Sequence, residues 1–399
     1  MLAPILGAVC LANGTRGRTL TINGLEVLKK PGGSGHGVSF DSIRVDEAAP
    51  GSVSSMQFVV DDPLKAVTVT AGEMVRFWDH IRNVPIFTGF VDAVTLAPAF
   101  GTGRTITVSC VGLDAVLDWL RVPALTFDLT LSASSVQYQI VQALYGAAYG
   151  SSGVSLNAGF NTAGPRGGSQ AFPVGDGSVC SGSTTWASTA GSSLRSAIAE
   201  FCRVTSNAYS SLFNGLSPLS YRLTVDPWGG LRFWAFYGEV GPPERVPSDY
   251  ATLTVTDTAA SALVSASLSH VIDGGSVIRS VWVTGGSAAG TGSVSDGSGI
   301  PGRSSSITDA SITTDEAKSA AASAIFSSSV TLPRGSFQLE SYTPTSVHPG
   351  SPLVLTDAQT GVSGTYAVTG IGRTFEAGTK ETWTVAYGKA EPSYIDTGV

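Results

Sequence analysis

Asp114 and Asp118 are the carboxylates whose spacing comes nearest to chemistry. They stand four residues apart, so a helix places both on one face. Paired carboxylates can share acid and base roles across a scissile bond, but only when a substrate fits between them and other groups converge. Nothing else in the sequence converges here, and we read the pair as a solvated helix face. Glu239 and Glu244, flanking Gly241-Pro242-Pro243, read the same way. The histidines His36, His80, His270 and His348 are isolated, without H-x-x-H or HExxH spacing, and are assigned to loops or strand ends. No G-x-S-x-G elbow is present to make one of the many serines a nucleophile. Gly297-x-Gly299-x-x-Gly302 formally matches a dinucleotide fingerprint, yet Pro301 and the serines beyond it replace the helix that fingerprint needs. Cys10, Cys110, Cys180 and Cys202 lack C-x-x-C spacing and read as buried free thiols. Trp78, Trp119, Trp228, Trp234 and Trp383 could build a sugar-stacking platform. At strand alternation such residues belong to a core or an interface, with Trp228, in a turn, as the exception. The expectation is no enzyme, no cofactor and no metal.

The bulk composition agrees with an assembly component. A length of 399 residues suits two to four domains. Charged residues make up 13%, against about 25% in ordinary proteins, so glycine (48 residues) and serine carry the polar surface. Seven Trp and 16 Phe exclude a disordered chain. A formal charge of −7 argues against a protein that grips phosphates. The apolar start, Met1 to Ala12, has no basic residue before it and reads as a first strand rather than a signal peptide. No other apolar run is long enough for a membrane helix, so no membrane insertion is expected.

The elements that must position any function centre on Ala71 to Leu120. Glu73–Trp78, Ile86–Leu96 and Arg104–Cys110 alternate like strands, with Gly89 marking a bulge or bend. Leu113, Val116, Leu117 and Leu120 then fall at helical spacing. The design returns in Pro349 to Gly388. Gly72 and Gly350 open the two copies, 350 − 72 = 278 positions apart, and Gly112 and Gly388 close them, 388 − 112 = 276 apart. Between them, Asp79 matches Asp357 and the Phe-x-x-Gly turn at Phe100 matches that at Phe375. A near-constant offset implies two copies of one β module.

Taken in order, Arg18–Val27, Val38–Val45 and Val53–Val60 are strands, completing a first tube-like β module over 1–122. A lateral α+β domain is expected over 123–246. It has helices over Ser134–Tyr149 and from Ser192 or Ser193, the latter burying Leu194, Ile198, Phe201 and Cys202. A hairpin of Tyr221–Val225 with Leu231–Tyr237 follows. The second module, 247–390, adds strands Ala251–Thr256 and Ser276–Thr284, a mobile loop over Gly285–Ser306, a helix to Phe326 behind a Thr313/Glu316 capping box, and Phe337–Tyr342. Residues 391–399 form a tail. The fold class is mainly β with an α+β insertion: two similar barrel or sandwich modules plus the lateral domain.

That order resembles the tail hub family of tailed bacteriophages. The resemblance is carried by "IFTGFV" at Ile86–Val91, by "LTVDPWGGLRFWAF" following two helices, and by the Pro349–Val368 ending. It implies a homotrimer whose modules form a pseudo-sixfold ring at the tail tip or baseplate of the virion. That ring would meet the tail tube or a distal tail ring on one side and a tip or central fibre protein on the other. It also implies contact with the tape measure C-terminus, and genomic DNA that passes through without specific binding. The Gly285–Ser306 loop, with Gly297 and Gly299, and the tail, with Tyr394 and Ile395, are the expected partner contacts beside Trp228. The alternatives are a carbohydrate-binding or adhesive tip protein, using the Trp228 turn, and a wall-degrading hydrolase.

Overall fold

Alternation between buried and exposed side chains builds most of this molecule. The computed structural model describes residues 17–28, 37–47, 53–80, 83–99, 103–128, 147, 185–201, 219–225, 231–237, 251–256, 268–271, 278–285, 291–295, 303–309, 315, 318–319, 322, 334–340, 347–358, 360–375 and 381–388. In chain order the strands are β1 (Arg18–Ile22), β2 (Leu25–Glu26), β3 (Gly37–Val38), β4 (Arg44–Glu47), β5 (Ser55–Asp62), β6 (Met74–Asp79), β7 (Val84–Pro98) and β8 (Arg104–Gly112). β9 (Thr126–Asp128), β10 (Thr185–Ala187), β11 (Leu219–Val225) and β12 (Leu231–Tyr237) follow, then β13 (Leu253–Thr256), β14 (Ser269–Val271), β15 (Ile278–Gly285), β16 (Thr291–Ser295) and β17 (Arg303–Asp309). β18 (Arg334–Glu340), β19 (Pro352–Asp357), β20 (Val362–Phe375) and β21 (Glu381–Gly388) complete the set.

The two copies are real and share a strand order. β6, β7 and β8 form an antiparallel meander, with β5 on the far side of β8; β19, β20 and β21 form the second, with β18 on the far side of β21. The residue equivalence is set by a shared bulge. On β7 the pairing with β8 skips a residue between Val91 and Ala93, and on β20 the pairing with β21 skips one between Val368 and Gly370. Val94 then faces Val108 as Ile371 faces Val385, so both strands carry the offset 371 − 94 = 385 − 108 = 277. An extra residue in the pairing of β7 with β6, at Ile86, explains why the offset rises to 362 − 84 = 278 toward the strand start.

Several sequence expectations shift. Gly388 occupies the place of Val111, not of Gly112, and Phe375 that of Pro98, so two of the matched landmarks were one and two residues out. Gly89 carries no register shift; those of β7 fall at Ile86 and Asp92 on either side of it. It is glycine because a Cβ there would lie 2.0 Å from the Val111 carbonyl oxygen and 2.8 Å from the Phe87 ring. The single strand over Arg18–Val27 is a hairpin, turned by Asn23 (φ 49°) and Gly24 (φ 83°), the Asn-Gly pair that two-residue hairpins prefer. The strand over Val38–Val45 is broken by a 3-10 turn at Phe40–Ser42. The Gly285–Ser306 stretch is no simple loop: β16 and β17 flank β15, and Ser280–Ser304 and Thr284–Thr308 hydroxyl pairs link β15 to β17.

Nor are there two separate barrels. One 14-stranded sheet runs β14-β18-β21-β20-β4-β5-β8-β7-β6-β1-β2, with neither end paired further among the described residues; off that path β3 pairs with β5, β19 with β20, and β13 lies parallel to β19. The modules keep distinct cores beneath it. The first gathers Leu20, Val45, Phe58, Val75, Phe77 and Val108; the second gathers Leu253, Phe337, Leu355, Trp383 and Tyr387.

After β8 the expected helical residues form a 3-10 turn (Leu113–Ala115) and a short helix (Val116–Trp119), with Leu113, Val116, Leu117 and Leu120 all buried. Between the two meanders in sequence, the helix over 194–201 buries Leu194, Ile198 and Phe201 as expected. β11 and β12 form the expected hairpin. Asp315, Lys318, Ser319 and Ala322 are helical, where the capped helix was expected. Met1–Ala12, Ser134–Tyr149 save residue 147, the Thr313/Glu316 cap, Cys202 and the tail lie outside the described residues.

Candidate functional site

Among the described residues, buried polar chemistry gathers at the joint between the two modules. β4, from the first, pairs antiparallel with β20, from the second: Glu47 opposite Ile371, Asp46 opposite Gly372, Val45 opposite Arg373 and Arg44 opposite Thr374. Period-two alternation puts Val45 and Glu47 on the buried face, beside Ile371, Arg373 and Phe375. Two buried ion networks and an aromatic plug complete the joint.

Glu47 anchors the first network. Its carboxylate accepts from the Arg373 guanidinium and lies 3.1 Å from Nδ1 of His348. Burial pushes the Glu47 carboxyl up, but Arg373 and His348 together hold it below the ordinary carboxylate range. The Arg373 guanidinium also lies 4.2 Å from the centroid of the Trp383 ring, while its Nε has no hydrogen-bond partner. His348 is thus a member of a cross-module network, not an isolated loop histidine.

Arg18 anchors the second. Its guanidinium bonds Glu381 in the other module and lies 3.3 Å, through Nε, from Asp79. Trp383 donates its indole N–H to Glu381 at 2.6 Å. The guanidinium also covers the rings of Phe375 and Phe40, with centroids at 5.1 and 5.7 Å. Phe375 itself is fully buried in the first module's core, edge-on to Phe40 and Phe77. Charges sealed this way fix geometry, the carboxylates of Glu47 and Glu381 each being held by a guanidinium across the joint.

The carboxylate pair weighed in the sequence separates into unlike residues. Asp118 is partly exposed and bonded to Arg195 at 2.8 Å. Asp114 is not on a solvated face; it is buried, accepting the Ser54 backbone N–H through Oδ2 at 2.9 Å while Oδ1 has no partner. Burial raises its pKa to about 6 despite that bond and nearby Arg195. A group so enclosed is out of reach of a polymeric substrate, so Asp114 and Asp118 do not face one as a pair. Burial, with the charge of Asp92, likewise pushes the Cys110 thiol up to about 12, leaving it an inert core group. Among the described residues no group of three His, Cys, Asp or Glu is placed to hold a metal ion, and no helix is long and apolar enough to cross a membrane.

His80 bonds Thr19 from a turn, and His270 lies within β14, its Nδ1 2.8 Å from the Tyr387 hydroxyl. Trp383 is core, as alternation predicts, whereas Trp119 is half exposed against Phe90. Trp228, Gly297, Gly299, Tyr394, Ile395, His36, Glu239 and Glu244 lie outside the described residues. Sequence reasoning missed the joint entirely. Its partners lie more than 300 positions apart, and only the charges inside otherwise apolar strands, at Glu47 and Arg373, hinted at it.

No family model matches the chain, and no curated protein does. Solved structures do match its fold. The tail protein from Neisseria meningitidis MC58 is 12% identical, covering 95% of this chain and 99% of that one with a TM-score of 0.59. The 43 kDa tail protein of prophage MuSo2 from Shewanella oneidensis is 11% identical, covering 94% and 99% with a TM-score of 0.60. The chain has the fold of these tail proteins along nearly its whole length.

Proposed function

We propose that the chain is a structural protein of a phage tail, a homotrimeric hub at the tail tip or baseplate. Each copy brings two similar modules, taken as 1–122 and 247–390, so three copies present 3 × 2 = 6 equivalent faces. Such a ring joins a sixfold tail tube or distal tail ring to a threefold tip or central fibre protein. The domain over 123–246 stands to the side, and the tape measure C-terminus ends on the hub. The observation that supports this most is the repeated meander with its shared bulge, joined by β4 and β20 into one sheet. The tail-protein fold supports it independently.

Three copies carry 3 × (−7) = −21 formal charges. Acidic walls would let DNA pass without adhering, because like charge repels phosphate. Mass by light scattering tests the reading on the purified chain, alone and mixed with a tail-tube ring. A species of 3 × 40.8 = 122.4 kDa is expected. A stable dimer or hexamer, or tight retention of duplex DNA at physiological ionic strength, contradicts it.

A further inference from the structure

We propose that the open edge of β7 at Val94–Ala97 takes β14 of a second copy, repeating between chains the joint that β4 makes with β20 within one. This deepens the hub reading above and rests on it for closure at three copies.

Equivalent strands have unequal neighbours, and that inequality carries the inference. β20 pairs with β19 up to Ala367, and the same edge is taken by β4 from Ile371 to Thr374. β7 pairs with β6 up to Phe90, but among the described residues nothing pairs with that edge from Val94 to Ala97. With the offset of 277, Val94–Ala97 are the counterparts of Ile371–Thr374. A half-filled edge in one copy of a duplicated unit therefore faces a filled edge in the other.

The missing strand is present as well. Val45 pairs with Met56, which pairs with Cys110; His270 pairs with Gly335, which pairs with Tyr387. Cys110 and Tyr387 are themselves counterparts, facing Val91 and Val368. β14 thus stands where β4 stands, with His270 in the place of Val45, and it terminates the sheet with its outer edge unpaired among the described residues. Both edges expose an apolar side chain that pairing would cover, Leu96 (58% exposed) on one and Val271 (47%) on the other. Open edges of this kind invite a further strand.

Copying the β4–β20 register fixes the pairing: Ser269 opposite Ala97, His270 opposite Leu96 and Val271 opposite Thr95, antiparallel. Directly opposed residues share a face, with Cβ atoms about 5 Å apart.

The test is Leu96→Cys with His270→Cys in the full chain, oxidised at high protein concentration and read on a denaturing gel without reductant. Covalent dimers and trimers are expected, with nothing larger. Leu96→Cys with Ser269→Cys, whose side chains point to opposite faces, should give none. Because substitutions can disturb folding, backbone amide exchange at 94–97 and 269–271 is followed in the unmodified chain across the same concentrations. It should slow at least tenfold as the chain associates. A trimer by mass that shows neither cross-link nor slowed exchange overturns the edge pairing and leaves the hub reading intact. Absence of cross-link, protection and association overturns both. A ladder running past three copies upholds the edge and overturns closure at three.

Discussion

Gly72 and Gly350 stand 278 residues apart and do the same thing. Both lie in the left-handed region (φ 88° and 100°), and each donates its backbone N–H to the counterpart residue of the long strand, Val91 at 2.8 Å and Val368 at 2.7 Å. The return bonds match too: Val91 donates to Glu73 and Val368 to Ser351, each at 2.9 Å. The duplication therefore reaches the hydrogen-bond pattern, at positions where sequence identity has largely gone.

Gly72→Ala should cost only about 1 kcal/mol, since a Cβ there meets nothing within 4 Å and the penalty is the backbone conformation alone. Gly335→Ala should cost several times more, because its Cβ would lie 1.9 Å from the Ser269 carbonyl oxygen. Urea denaturation of the two variants checks the contrast; equal costs would refute it.

Phe375→Ala should destabilise by about 3–5 kcal/mol, as for other buried aromatics. The loss should register in the first module, because the ring fills the core around Phe40 and Phe77. Amide exchange at Phe58, Val75 and Phe77 should therefore speed up. Faster exchange confined to the second module would count against the joint.

How much of this was legible in the sequence depended on how far apart the interacting residues lie. Alternation in β6, β7 and β8 and the glycines opening each copy are local signals, and they located both meanders. Helical spacing at Leu194, Ile198 and Phe201 worked for the same reason. The Asn23-Gly24 hairpin was equally local and could have been read. By contrast, Glu47 meets Arg373 across 326 positions, and nothing near either residue names the other. β17 was hidden because serine-rich strands look like linkers, although hydroxyls at Ser304 and Thr308 bond across to β15. Asp114 was misjudged because its spacing from Asp118 suggested a helix face, whereas the 3-10 turn aims it inward at Ser54.

Glu47→Ala should destabilise by about 3–5 kcal/mol, since it leaves the buried Arg373 without its carboxylate. The intact network also sets an acid limit. The Glu47 carboxyl is held below its ordinary range, so its contribution is present above the unfolded-state pKa and is lost as pH falls through the lowered folded value. Thermal melts of the native chain should fall steeply in acid, and those of Glu47→Ala less so. Parallel acid curves would rule this out.

Asp114 works in the opposite sense. Its pKa of about 6 exceeds the ordinary 3.8, so the folded state takes up a proton more readily than the unfolded chain. That contribution is complete below pH 3.8 and disappears as pH rises through about 6. Asp114→Asn keeps an oxygen for the Ser54 N–H and removes the buried charge, so it should stabilise the protein at pH 7.5 by about 1–3 kcal/mol. A melting temperature lowered at pH 7.5 would contradict the assignment.

Counting and locating this chain in imaged particles goes straight to the claim that a doubled module lets three subunits match a sixfold tail. Three copies encircling the tail axis at its end, with six alike modules facing the tube, is the predicted result. Six copies in that ring, or copies placed away from the axis, would contradict it.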